Sequence, residues 1–135
     1  MKIAVSATSD NLEAEIDPRF GRCRYFLIVN PDTLEFESID NFNAPAWGAG
    51  ITAAQMIAGK GVEAVLTGNC GPNAYQVLTP AGIKVITGVN GNVREAVARY
   101  KSGAYTAATQ ANVPDHFGGG GRGGGGFGRG RQGLA

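Results

Sequence analysis

Thiols and imidazoles are scarce in this chain. Its 135 residues hold two cysteines, Cys23 and Cys70, and one histidine, His116. With that imidazole far down the chain, no Ser-His-Asp set can be built. Two thiols do not make the disulfide framework of a small secreted domain. They are also too few to hold an iron–sulfur cubane alone, which usually takes four thiolates. No apolar run reaches the roughly 18 residues that span a bilayer. No Walker sequence occurs, and no G-x-G-x-x-G follows the first strand. The strand Lys2 to Ser6 has no carboxylate, which removes the two-metal chemistry of nucleases with a similar sheet. Catalysis is therefore not supported. Met1-Lys2 leads straight into a strand without the apolar stretch of a signal peptide, so the expected location is the cytoplasm.

Charge and glycine are unevenly spread. Of 22 glycines, 11 lie between Gly118 and Gly133. The net charge is +1, but residues 118–135 hold Arg122, Arg129 and Arg131 and no acid, leaving −2 over residues 1–117. The body is mildly acidic, which argues against a surface wholly coated by nucleic acid. The tail cannot bury enough apolar surface to fold. The expected organisation is one α/β domain over residues 1–113 and a disordered Gly/Arg-rich tail over 114–135.

Within the body, hydrophobic runs and turn signals alternate. Strands are expected at Ile3 to Ser6, Tyr25 to Asn30, Phe36 to Asp40, Val62 to Thr67 and Ile83 to Ile86. Helices are expected from Gly50 to Ala58, from Pro72 until Pro80-Gly82, and from Val93, with Asn92 as N-cap. Residues 7–24 read as a long loop, and at that length as functional or mobile. In the stretch 10–17 the acids match no calcium-loop spacing, so a solvated loop is expected. The order βββαβαβα, with crossovers through the first two helices, predicts a five-stranded mixed sheet of order 3-2-1-4-5. Strand 2 is antiparallel and helices pack on the sheet.

That topology sends both cysteine loops to one rim. Cys23 enters the downward strand there, in Arg19-Phe20-Gly21-Arg22-Cys23-Arg24. Cys70 follows the fourth strand, in Gly68-Asn69-Cys70-Gly71-Pro72-Asn73. Open α/β sheets bind ligands at such rims, and three helix starts would aim N–H groups there. Two readings of each thiol stand side by side. One is a small packed hydrophobe; the other is a thiolate whose pKa is lowered by arginines or a helix start. His116 reads as solvated. Trp47 reads as a core or rim aromatic rather than a ligand platform, and Gly88 to Asn92 resembles a phosphate turn only faintly.

These residues carry a resemblance. Met1 to Val5, Asp17-Pro18-Arg19-Phe20-Gly21-Arg22-Cys23, Gly48-Ala49-Gly50, Gly68 to Ala74, Ala81 to Val85 and Val93 to Ala96 resemble the nitrogenase iron–molybdenum cofactor biosynthesis family of NifX-like domains. The resemblance covers residues 1–113. It implies a ribonuclease H-like three-layer fold without nuclease activity, and carriage or storage of an iron–sulfur or molybdenum-containing cluster. The family includes nitrogenase cofactor carriers, a molybdenum–copper orange protein and iron–sulfur storage proteins with Gly-rich cationic tails. The binding set so implied is Arg19, Phe20, Gly21, Arg22, Trp47, Gly48, Gly50, Asn69, Gly71 and Asn73, with Cys23 and Cys70 as soft metal ligands. Many members have His where this chain has Arg19, which removes an imidazole ligand and adds a fixed positive charge. Implied partners are the cluster itself, donor or acceptor proteins, and other copies through the tail; no membrane is implied. Two other classes remain open: an Arg-Gly-tailed nucleic-acid accessory protein, and a module sensing redox state or small anions through its thiols.

Overall fold

Alternation along each strand divides the core in two. In the computed structural model, which describes residues 1–41 and 48–112, β1 (Ile3–Ala7) sends Ile3, Val5 and Ala7 to one face and Ala4 to the other. In β2 (Tyr25–Val29), Leu27 and Val29 face the first side, and Phe26 and Ile28 the second. Val65 of β4 (Ala64–Leu66) and Val85 of β5 (Lys84–Ile86) join the second side, and Leu66 and Ile86 the first. Such strict alternation on two apolar faces marks a sheet covered on both sides.

Helices α1 (Ala49–Ala58) and α2 (Pro72–Leu78) cover the second face through Ala53, Ala54, Ile57, Ala74 and Leu78. Helix α3 (Val93–Lys101) covers the first through Val93, Ala96 and Val97. The sheet order is β3-β2-β1-β4-β5, with β3 (Phe36–Asp40) at one edge. Strand β1 runs antiparallel to β2 and parallel to β4, β2 antiparallel to β3, and β4 parallel to β5. This is the three-layer α/β arrangement and strand order expected from the sequence. Helix α1 begins one residue earlier than expected, and β4 and β5 are shorter at their ends. Among the described residues no helix is long and apolar enough to cross a membrane.

The long first loop departs from expectation. Residues 8–16 fold back as an improvised ribbon rather than a solvated loop. Thr8 N–H donates to Glu15 O (3.0 Å), Ile16 N–H to Gly91 O (2.9 Å), Val93 N–H to Ala14 O (2.9 Å) and Arg94 N–H to Leu12 O (2.9 Å). Leu12, Ala14 and Ile16 are buried in the α3-side core, whereas Asn11, Glu13 and Glu15 are exposed. Only residues 17–24 remain to form the rim.

Candidate functional site

Asp17 organises the first cysteine loop. It is buried, and its carboxylate accepts the N–H groups of Arg19 (3.0 Å) and Arg24 (3.3 Å). One side chain thus ties both ends of the turn that presents Cys23. Its own backbone is fixed to the end of β1. Asp17 N–H donates to Ser6 O (2.9 Å), and the Ser6 hydroxyl donates to Asp17 O (2.7 Å). A further 2.8 Å contact joins Ser6 Oγ to Thr67 Oγ1, at the end of β4. These buried polar groups are satisfied by one another, as burial demands.

The second cysteine loop docks directly on the first. Arg19 and Asn69 form an isolated parallel bridge. Phe20 N–H donates to Asn69 O (3.2 Å), and Asn69 Nδ2 donates to Pro18 O (2.8 Å). The approach requires Gly68, because a Cβ there would lie 2.6 Å from Pro18 Cα. Gly21 is required in the same way at the start of α1: a Cβ would stand 2.8 Å from Gly50 N. Gly50 in turn faces Ala74 of α2, with 3.6 Å from its notional Cβ to that of Ala74. Three turns, 19–23, 48–50 and 68–73, therefore meet backbone to backbone.

Two helix starts open on this junction. The N-caps of α1 and α2 are Gly48 and Gly71; neither helix has a side-chain cap or an acid in its first turn. The first turn of a helix and the positive end of its dipole suit an anion there. The third expected start is not available. In α3 the Asn92 side chain accepts from Glu95 N–H (2.8 Å), and the carbonyls of Ala14 and Leu12 take the N–H groups of Val93 and Arg94. The folded-back ribbon has occupied that end.

The thiols lie beneath the junction. Cys23 and Cys70 are free, each about 1% exposed, and both belong to the core cluster shared by α1 and α2. Burial pushes the Cys70 thiol up to about 12. Burial, and then the Asp17 carboxylate, raise that of Cys23 well above its ordinary value. At Cys23, burial and Asp17 outweigh the lowering by Arg19. In the structure described, both side chains are packed in the core.

The arginines are not equivalent. Arg19 Nε lies 3.5 Å from Asp17 Oδ1, with the side chain 42% exposed. Arg24 leans away, 3.9 Å from Asp40 and over the Tyr25 ring at 5.1 Å. Arg22 is half-buried and Arg24 exposed. The Phe20 ring is buried, with its centroid 5.1 Å from that of Phe26. Gly48, Gly50, Asn69, Gly71 and Asn73 are half-buried on the two turns. Trp47, His116 and the tail lie outside the described residues. Among the described residues no group of three or more His, Cys, Asp or Glu converges on a metal-sized site.

Sequence reading missed two asparagines. Asn41 Nδ2 donates to Gly21 O (3.2 Å) and Cys23 O (3.0 Å). Asn112 Oδ1 accepts from Cys70 N–H (2.7 Å), and Asn112 N–H donates to Cys70 O (3.1 Å). Neither has a local sequence signature, because each acts across the fold.

The sequence model described as dinitrogenase iron-molybdenum cofactor matches residues 1–103. The chain belongs to this family. A curated relative, an uncharacterised protein of Methanocaldococcus jannaschii, is 33% identical over 107 residues, covering 76% of this chain and 87% of that one. Among solved structures, the apo form of the orange protein from Desulfovibrio gigas is 41% identical, with a TM-score of 0.80 over 83% of this chain and 96% of that one. A NifB candidate from Thermotoga is 31% identical, with a TM-score of 0.68 over 78% of this chain and 91% of that one. Membership of the dinitrogenase iron-molybdenum cofactor family fits a cofactor-binding or carrier role.

Proposed function

We propose that the protein binds and hands on an anionic metal–sulfur cluster, iron–sulfur or molybdenum-containing, without catalysing a reaction. The observation that supports it most is the bridge between Arg19 and Asn69, which joins the two thiol-bearing loops under two uncapped helix starts. Arg19 and Arg22 supply positive charge. The amides at Gly48, Gly50, Gly71 and Asn73 supply hydrogen bonds to sulfide or oxo ligands. Cys23 and Cys70 supply soft ligands once they turn outward and lose their protons to the metal. Two thiols per chain leave two modes: a cluster shared between copies with four thiolates, or one held largely by charge and hydrogen bonds. Donor or acceptor proteins for the cluster are the expected partners. The reducing cytoplasm is the compartment in which such thiols persist.

Anaerobic reconstitution with iron or tetrathiomolybdate and sulfide, followed by metal analysis and visible absorption, tests the reading. Wild-type protein is expected to retain metal and colour, and a Cys23→Ser/Cys70→Ser variant to lose most of both. Wild-type protein that stays colourless and metal-free after reconstitution would sink the proposal.

A further inference from the structure

The segment that follows α3 has an unusual attachment. Residues 104–112 run from the end of α3 past β5 to the Cys70 turn, and none of them is buried. Their hold on the body is made mostly of hydrogen bonds. Ala104 N–H donates to Arg99 O (3.0 Å), and Ala108 N–H to Val85 O (2.7 Å). The Tyr75 hydroxyl donates to Ala108 O (3.1 Å). At the far end Asn112 grips the Cys70 peptide on both sides, and its Nδ2 donates to Asn69 Oδ1 (3.0 Å). Tyr105 adds a half-buried ring against the α3-side core.

The two halves of the Cys70 turn are thus held unequally. On the Pro18 side the contact is close-packed backbone, with no space for even a methyl group at position 68. On the Asn112 side it is a set of part-buried and exposed hydrogen bonds made by an exposed residue. Segments with few buried contacts open locally at far lower free energy than the core. With its N–H and C=O both engaged by Asn112, Cys70 has its peptide planes fixed on either side, and that fixes the direction of its side chain. The thiol then points into the α1/α2 core cluster.

We infer that residues 104–112 form a releasable strap whose catch, Asn112, holds Cys70 in a thiol-inward state, and that release of the strap lets the turn present the sulfur at the rim. The inference gives the cluster-binding reading a gate. Its test uses the empty protein, so its failure leaves that reading standing and the converse also holds.

The full chain, reduced and metal-free, is treated with iodoacetamide, and the rate at each cysteine is read by peptide mapping. Asn112→Ala removes two side-chain hydrogen bonds, and Cys70 is expected to alkylate about ten-fold faster or more, with the Cys23 rate unchanged. Asn112→Asp keeps the acceptor for Cys70 N–H but loses the donor to Asn69, and is expected to be intermediate. Tyr75→Phe removes one of the strap's two hydrogen bonds at Ala108 with the catch intact, and is expected to accelerate Cys70 to a smaller extent. It reads the same quantity if Asn112→Ala does not fold. A Cys70 rate equal to wild type in the folded variants, or one that rises in step with Cys23, would overturn the strap.

Discussion

Alanine at Gly21 and at Gly68 should each destabilise the empty protein, whereas alanine at Gly50 should not. The magnitudes follow from the close approaches. A Cβ at position 21 meets Gly50 N at 2.8 Å and Gly50 Cα at 2.9 Å, and at position 68 it meets Pro18 Cα at 2.6 Å. Ordinary contact begins near 3.4 Å, so main chain must retreat by roughly 0.6 Å at the first site and roughly 0.8 Å at the second. The atoms in the way are backbone tied into other hydrogen bonds, so the retreat spreads. Overpacking of this kind costs about 1–3 kcal/mol, which for a domain of this size lowers Tm by about 4–13 °C. At Gly50 the new methyl would touch Ala74 Cβ at 3.6 Å, an ordinary contact. The first turn of α1 would also gain helix propensity, by up to about 1 kcal/mol. Thermal melts followed by circular dichroism on the three metal-free variants give the comparison. If Gly21→Ala and Gly68→Ala melt with wild type while Gly50→Ala falls, the three turns do not meet as described.

The remaining predictions concern the polar interior. Burial favours the protonated form of both thiols in the fold, while the unfolded chain ionises around the ordinary thiol value of 9.0. Their contribution is therefore fully present below pH 9 and declines as pH rises towards about 12, by about 1.4 kcal/mol per unit for each thiol. Urea unfolding of reduced protein between pH 8 and pH 10.5 should show this slope, and the Cys23→Ser/Cys70→Ser variant should lose most of it. Some slope should persist from Tyr100, whose hydroxyl is also raised by burial and by its hydrogen bond to Glu63. Ser6→Ala removes the hydroxyl that bonds Asp17 O and leaves a buried carbonyl without that donor; an unfolding cost of about 1–3 kcal/mol is expected by urea titration. By contrast, Arg94→Ala breaks a 2.6 Å ion pair with Glu13 whose side chains are 49% and 64% exposed, and should cost under about 1 kcal/mol.

The strand order and the meeting of the cysteine loops were legible in the sequence because both follow from topology. Once β1 is central, and the two crossovers run through α1 and α2, the loop ending at Cys23 and the turn at Cys70 must share a rim. The ribbon at 8–16 was legible too, and was overlooked. Leu12, Ala14 and Ile16 alternate with Asn11, Glu13 and Glu15 at the period of a strand, but the acids and turn formers around them masked it. The depth of the thiols was not legible. Arginines nearby in sequence suggest a positive environment, yet Arg24 turns to Asp40, and at Cys23 the Asp17 carboxylate outweighs Arg19. Asn112 could not be read at all, because its contact with Cys70 spans 42 residues.

The central place of β1 bears on how the chain assembles during synthesis. β1 is made first, yet it lies third in the sheet and is bonded along both sides. A meander of β1, β2 and β3 can form from the first 40 residues, through contacts that are short in sequence. Its β1 edge must then wait, unpaired, until Ala64 to Leu66 have left the ribosome. An exposed edge of Ile-Ala-Val-Ser-Ala is an invitation to the wrong partner. Slowing translation between residues 41 and 63 should lengthen that exposure and raise the fraction of nascent chains that aggregate, with no change in the stability of those that finish.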